Sequence, residues 1–273
     1  MNKTKERLDI LLVRQGLFPS RERARSAIMA GLVFVAGQKI EKPGTQVTLD
    51  AEIRVLGEDI PYVSRGGLKL AKALEAFKID LQDRVVLDIG ASTGGFTDCA
   101  LQHGARKVYA IDVGYGQLAW KLRQDPRVVC LERTNIRHLS PVVLDEPGDV
   151  ATIDVSFISL DKVLPAVREL LAPHGQVIAL IKPQFEAGRE KVGKKGVVRD
   201  PAVHREVIEQ VARTAQRLGF RVCGLSFSPI TGPEGNIEYL LHLSLVNEGV
   251  GGADWAGLLD ATVDNAHALL NRR

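Results

Sequence analysis

The sequence predicts an α/β protein: a Rossmann-like, seven-stranded, mostly parallel sheet with one antiparallel strand, preceded by a small α+β domain. Three observations carry this. Short β-branched and aliphatic runs recur at 85–89, 108–112, 128–131, 149–154, 176–181, 220–226 and 237–243, with helical patterns between most of them. The first run, Val85-Val86-Leu87-Asp88-Ile89, ends in a loop holding Gly90, Gly94 and Gly95, and Phe96 to Leu101 then reads as a helix. The first 57 residues lack this alternation and hold ten of the 36 Lys and Arg but six of the 33 Asp and Glu, so the positive excess lies there.

A chain of 273 residues can bury one large core and one small one. Its 45% hydrophobic and 25% charged content is that of a soluble globular protein. No apolar run approaches the roughly 20 residues of a membrane-spanning helix, and the charged N-terminus is not a signal peptide. Cys99, Cys130 and Cys223 are an odd number without a Cys-x-x-Cys pair, so neither a disulfide framework nor a metal site is expected. The expected location is cytoplasmic. No internal repeat is present.

The N-terminal domain is expected over 1–57. Leu8, Leu11 and Leu12 mark a short amphipathic helix over 5–17, with Arg7 and Arg14 outside. Ser20 is a good N-cap for a second helix, 21–30, that carries Arg21, Arg23 and Arg25 against Ala24, Ala27 and Ile28, and Gly31 closes it. Residues 32–40 read as a hairpin turning at Gly37-Gln38, and 47–49 and 53–56 complete the unit. This order, with Ser-Arg-x-x-Ala-x-x-x-Ile-x-x-Gly-x-Val at its centre, resembles the small RNA-binding domain of ribosomal protein S4. Basic side chains on such a helix would contact phosphates; a solvated helix face would look the same.

Residues 58–61 are the expected linker, and the second domain runs over 62–273. Ser64 can cap a helix whose buried stripe is Leu70, Leu74 and Phe77, with Lys69 beside that stripe. Strand, glycine loop, helix is the geometry that lets a ligand touch bare backbone at the carboxyl edge of an open sheet. The loop is neither the dinucleotide fingerprint nor a phosphate loop. Asp112 ends the second strand, where it could hold a ribose diol. An acid before the glycines and an acid after strand two suit S-adenosylmethionine better than NAD, although any tight turn in such a sheet could carry the glycines. Gly114 to Trp120 is expected to begin a helix, and Thr134-Asn135 follows the third strand at an edge where an adenine ring could be met. Asp154 ends the fourth strand, with residues 155–160 continuing it, and the fifth finishes on Lys182. A basic, glycine-rich loop over 188–199, with Lys191, Lys194 and Lys195, suits a mobile lid or an RNA contact as well as a plain solvated loop. The segments 201–218 and 255–270 read as helices, and Ser228-Pro229-Ile230-Thr231-Gly232-Pro233 suggests the return that makes one strand antiparallel.

Lys69, Asp154, Lys182 and Glu238 could all converge on the glycine-loop side of the sheet. The set resembles the Lys-Asp-Lys-Glu tetrad of ribose 2′-O-methyltransferases of the FtsJ type. With "SRGGLKL", "LDIGASTGGFTD", "DVGYGQLAW", "LERTN", "DVSFISL", "LIKPQFE", "GVVRDP" and "GNIEYL" in order, the whole chain resembles the TlyA family, known both as haemolysins and as rRNA cytidine-2′-O-methyltransferases. The resemblance implies a class I methyltransferase fold, S-adenosylmethionine as cofactor, a cytidine ribose of ribosomal RNA as substrate, and a link between loss of the enzyme and capreomycin resistance. It implies no metal and no membrane partner. Together with the sequence it assigns Asp88, Gly90, Ser92, Gly94 and Phe96 to the methionine end of the cofactor, Asp112 to its ribose and Asn135 to its adenine. Arg7, Arg21, Arg23, Arg25, Arg65 and Lys191 are the expected RNA contacts. Methyl transfer to a hydroxyl requires in-line approach and removal of a proton. Lys182 is the candidate base, with Lys69 as the neighbouring cation, Asp154 orienting Lys182 and Glu238 holding Lys69 or the ribose. A membrane-active haemolysin and a ribosome-binding module without activity are the competing readings.

Overall fold

The structure, a computed structural model, describes residues 5–18, 20–55, 60–193, 195–246 and 249–270. The chain divides into two compact units, Met1–Arg65 and Gly66–Arg273. The division falls after Arg65, whereas the sequence places a linker at 58–61; residues 58 and 59 lie outside the described set.

In the first unit, β1 (Lys5–Arg7) leads directly into α1 (Leu8–Arg14), followed by α2 (Arg21–Met29). The helix expected from residue 5 therefore starts later, because Lys5–Arg7 pairs antiparallel with β4 (Gln46–Thr48). Ser20 caps α2, its hydroxyl accepting from the Arg23 N–H at 3.3 Å. β2 (Val33–Val35), β3 (Gln38–Ile40) and β5 (Ile53–Val55) form a three-stranded antiparallel sheet. Val35 pairs with Gln38, so the hairpin turns on Ala36-Gly37, both at positive φ, one residue before the expected pair. Leu8, Leu11, Leu12, Ala24, Ile28 and Val33 fill a separate small core.

The second unit is a doubly wound sheet. Its elements in chain order are α3 (Gly66–Phe77), β6 (Val85–Ile89), α4 (Gly95–Gln102), β7 (Lys107–Ile111), α5 (Trp120–Arg123), β8 (Val128–Leu131), β9 (Gly148–Ile153), α6 (Leu164–Leu170), β10 (Leu171–Ile181), α7 (Pro183–Glu186), α8 (Pro201–Arg217), β11 (Arg221–Phe227), β12 (Tyr239–Ser244) and α9 (Gly252–Leu270). The strand order is β11-β12-β10-β9-β6-β7-β8, and only β12 runs antiparallel to its neighbours. Every residue of β6 is buried, as a strand covered on both faces requires. Residues of α6, α8 and α9 pack with Leu87, Ile111, Ile153 and Leu241 in one core, while α3 and α4 pack together on the other face.

Three local differences follow from loop chemistry. The helix expected from Gly114 is confined to Trp120–Arg123, because Gly116 has φ +71° and the Gly114 N–H donates to Asp112. Residues 155–160 do not continue β9 but form a turn. The strand expected to finish on Lys182 stops at Ile181, and Pro183 opens α7.

Candidate active site

The strand order reverses between β6 and β9: the chain after β6 goes to β7 on one side, and β9 lies on the other. Such a switch point opens a crevice at the carboxyl ends of the strands. The two loops that flank it touch. The Asp154 N–H donates to the Ile89 carbonyl at 2.9 Å, and a Cβ on Gly90 (φ +85°) would lie 2.4 Å from the Asp154 carbonyl oxygen. Only glycine fits there.

Asp154 is the first residue past β9 and Lys182 the first past β10, on parallel neighbours. Ile181 pairs with Tyr239 across the antiparallel β10–β12 ladder, so Lys182 faces Glu238 just beyond the end of the ladder. Lys69 reaches the same place from the first turn of α3. The result is an unbroken chain of alternating charge. Lys182 Nζ lies 2.5 Å from Asp154 Oδ1, Lys69 Nζ lies 3.8 Å from Asp154 Oδ2, and Lys69 Nζ donates to Glu238 Oε2 at 2.5 Å. Both lysines are largely buried and Glu238 is 1% exposed. Burial of four charges is tolerable only with such pairing. Lys69 faces two carboxylates. Lys182 faces one carboxylate and the Ser156 hydroxyl, to which its Nζ donates at 3.0 Å.

On the other side of Gly90, the glycine loop is held by Asp112. One carboxylate oxygen accepts from the Ser92 N–H at 2.8 Å and the other from the Gly114 N–H at 2.6 Å. Ser92 is exposed with φ +49°, and its hydroxyl meets the Gln117 side chain. Gly94 (φ +93°) caps α4, and a Cβ there would strike Leu122 and Leu118. Asn135 caps the short turn Ile136–His138 by accepting from the Arg137 N–H, and the Thr134 N–H donates to the Asp112 carbonyl. Ser92, Gly94, Asp112 and Asn135 thus frame one rim.

Asp88 and Phe96 are placed differently from expectation. Asp88 is 0% exposed: its carboxylate accepts from Thr97 Oγ1 at 2.5 Å and, more weakly, from Thr152 Oγ1 at 3.5 Å. Burial pushes its carboxyl up to about 7, against the Thr97 hydrogen bond, and the Asp154 charge adds to the rise. Phe96 is 4% exposed. Both side chains point into the packing beneath the loop, so they shape it rather than line it.

The basic side chains are also partly committed. Asp9, fully buried on α1, accepts from Arg7 Nε and Nη2, both at 3.0 Å, and from Arg21 Nε at 2.9 Å. Those guanidiniums, Arg7 first, hold the Asp9 carboxyl down at about 2. The Arg23 guanidinium donates to the Ile60 and Tyr62 carbonyls. Arg7 and Arg21 are therefore struts within the first unit. Arg25 and Arg65 are exposed. Lys191 Nζ is paired with Glu206 at 2.5 Å. Lys194 lies outside the described residues. The loop that could be a mobile lid, an RNA contact or a plain solvated loop is anchored in its second half: Val197 and Val198 are buried, and buried Asn236 and His204 bond the N–H and carbonyl of Val198.

Three residues of the site were not foreseen: Ser156, Phe157 and Glu186. Phe157 is 90% exposed with φ +63°, three residues past Asp154, and its ring lies 4.9 Å from that of Phe185. An aromatic inside an expected strand carries no signal of exposure. Among the described residues, no cluster of His, Cys, Asp and Glu could hold a metal ion, and no helix is long and apolar enough to cross a membrane.

Residues 62–245 match the FtsJ-like methyltransferase family and residues 6–53 match the S4 domain. The 16S/23S rRNA (cytidine-2'-O)-methyltransferase TlyA of Mycobacterium tuberculosis is 48% identical over 238 residues, covering 87% of this chain and 89% of that protein. The chain belongs to the TlyA family of FtsJ-like methyltransferases. Hemolysin A of Brachyspira hyodysenteriae, 44% identical over 86% of this chain and 98% of its own, is similar to it as well. A solved chain from Streptococcus thermophilus that bears a hemolysin name superposes with a TM-score of 0.79, at 48% identity and 98% coverage of both chains. The seven-stranded sheet with one antiparallel strand, preceded by an S4 unit, is thus the fold of a TlyA-family methyltransferase.

Proposed function

We propose that this TlyA-family chain moves a methyl group from S-adenosylmethionine to the ribose 2′-hydroxyl of a cytidine in ribosomal RNA. The observation that carries the proposal is the buried Lys182–Asp154–Lys69–Glu238 chain at the switch-point crevice. It offers a lysine side chain oriented by a carboxylate, which is what base-assisted transfer to a hydroxyl needs.

The rim fits the cofactor. Asp112 spends one lone pair of each oxygen on backbone N–H groups and keeps the others for a ribose diol. Gly90 and Gly94 leave the backbone bare where side chains would fill the loop. When bound, S-adenosylmethionine supplies an electrophilic methyl whose sulfonium charge is lost on transfer. Ser92, Gly94, Asp112 and Asn135 are the residues we assign to hold it, with Asp88 and Phe96 supporting the loop from beneath.

Lys182 is the residue we assign to take the hydroxyl proton. Its Nζ faces one carboxylate and the Ser156 hydroxyl, whereas that of Lys69 lies between two carboxylates, so Lys69 is the more tightly held of the two. Asp154 orients Lys182 through Oδ1 and Lys69 through Oδ2. Glu238 secures Lys69. Phe157 offers an exposed aromatic face beside Asp154 on which an unstacked base can lie. In the S4 unit, Arg23 and Arg25, with the outward faces of Arg7 and Arg21, supply phosphate contacts, and Arg65 and Lys191 add to them. The substrate would be met in the cytoplasm.

The test is tritium transfer from labelled S-adenosylmethionine to undermodified 30S and 50S particles. Incorporation recovered as 2′-O-methylcytidine, and lost in Lys182→Ala, is the expected result. Leakage of liposomes by the pure protein without methyl transfer would overturn it in favour of a membrane activity.

A further inference from the structure

Glu186 takes no part in the chain of charges, yet its side chain is mostly buried and fully used. One carboxylate oxygen accepts from the Ser159 hydroxyl and the other from the Leu160 N–H at 2.8 Å. Glu186 ends α7, the four-residue helix for which Lys182 is the N-cap. The Phe185 N–H donates to the Lys182 carbonyl at 2.9 Å, so Lys182 and Glu186 are the two ends of one rigid piece. The turn 154–160 lies against that piece and is fastened to it at both ends. At one end Lys182 binds Asp154 and Ser156; at the other Glu186 binds Ser159 and Leu160. Between the fastenings sits Phe157, in a left-handed conformation that a phenylalanine rarely adopts and with its ring turned out to solvent. Such a conformation persists only when its surroundings over-determine it.

We propose that Glu186 is a positioning residue that holds the 154–160 turn closed, so that the Phe157 ring is presented to the base of the target nucleotide while Asp154 stays on Lys182. The inference rests on the methyltransferase function proposed above. Burial raises the Glu186 carboxyl above its ordinary value, and the Ser159 and Leu160 hydrogen bonds oppose that rise. A group held at that cost to receive two donors from one turn is an anchor for the turn. Among the described residues Glu186 bonds the 154–160 turn and not the glycine loop, so its effect falls on the RNA side of the crevice and not on the cofactor.

Steady-state methyl transfer by the full-length protein, with labelled S-adenosylmethionine and undermodified ribosomal particles, tests this in a double-variant cycle. Phe157→Ala is expected to raise the KM for RNA about tenfold, the worth of one base–aromatic stack. Glu186→Ala is expected to raise it by a similar factor, with the cofactor dissociation constant unchanged. The double variant should be no worse than Phe157→Ala alone, because both act through one ring. Glu186→Gln keeps an acceptor and a donor for Leu160 and Ser159, and should stay within about threefold of the parent. If Glu186→Ala does not fold, Ser159→Ala takes its place in the cycle, with a smaller rise in KM that is again absorbed by Phe157→Ala. Losses that multiply in the double variant, or a cofactor affinity that falls in step, would reduce Glu186 to a structural residue and overturn the inference while leaving the enzyme's function intact. Absence of methyl transfer by the unmodified protein would overturn both.

Discussion

Asp88→Asn isolates the cost of a buried carboxyl under the glycine loop. Asp88 is 0% exposed, and its carboxyl is pushed up to about 7 by burial. In the unfolded chain an aspartate titrates at about 3.9, well below that. A folded-state value above the unfolded one means that the native state keeps its proton longer. The contribution is fully present below about pH 4, where both states are protonated, and is lost as pH rises through about 7. At 1.36 kcal/mol per unit, the loss across that window is on the order of 4 kcal/mol. Asparagine keeps the shape, an acceptor for Thr97 and a donor for Thr152, and does not titrate. Urea unfolding of both proteins from pH 5 to pH 8.5 reads the difference. Asp88→Asn should exceed the parent by about 1.5 kcal/mol at pH 5 and by about 4 kcal/mol above pH 8, the other titrations cancelling in the comparison. A difference independent of pH would refute the reasoning, because it would mean that Asp88 ionises in the native state without penalty.

Lys182→Ala should lower turnover by about 10²- to 10⁴-fold, the usual worth of a general base, with cofactor affinity retained by titration calorimetry. Gly90→Ala should destabilise the second unit by about 3 kcal/mol and abolish transfer, because its Cβ would meet the Asp154 backbone at 2.4 Å. Gly94→Ala should cost less, since flexible Leu122 and Leu118 can yield, and chemical denaturation ranks the two. Asp9→Asn should destabilise the S4 unit by about 2 kcal/mol near neutral pH. Its depressed carboxyl means that the contribution is present above about pH 4 and lost as pH falls towards 2, so circular dichroism should show a flatter acid limb in the variant.

The sheet was legible because its strands are uniform apolar runs whose ends are marked by acids, glycines or a lysine. A parallel strand buried on both faces needs nothing else. Lys69 was the least legible member of the charge chain by chemistry alone, since a lysine one position from a helix's apolar stripe is normally solvated. Only Asp154 and Glu238 draw it inward, and neither is near it in sequence. The inward turn of Asp88 was hidden for a related reason: the hydroxyls that receive it, Thr97 and Thr152, come from the following helix and a neighbouring strand. Arg7 and Arg21 read as free phosphate ligands because Asp9, between two leucine positions of α1, gave no sign of being the buried acid that collects them. The turn after Asp154 was misread as strand because Val155, Phe157 and Ile158 carry β-propensity, which hydrogen bonds to Lys182 and Glu186 override.

The spacing of the four site residues is set by sheet register more than by the loops that carry them. Ile89 and Ile153 are paired, as are Ile153 and Ala179, and Ile181 with Tyr239, so Asp154, Lys182 and Glu238 leave three adjacent strands at nearly one level. A slip of one residue in any pairing would turn a buried strand face by face into its neighbour's space, which the covered sheet does not permit. The core therefore enforces the 2.5 Å contacts at its rim. The converse also holds. Four charges at the edge of an apolar core cost several kcal/mol each if separated, and alternation along Lys182–Asp154–Lys69–Glu238 is what offsets that cost. Removing one carboxylate leaves one lysine charge in excess at the edge of the core. Lys182, bound to one carboxylate and a hydroxyl, is the open end, and Lys69, bound between two carboxylates, is the fixed one.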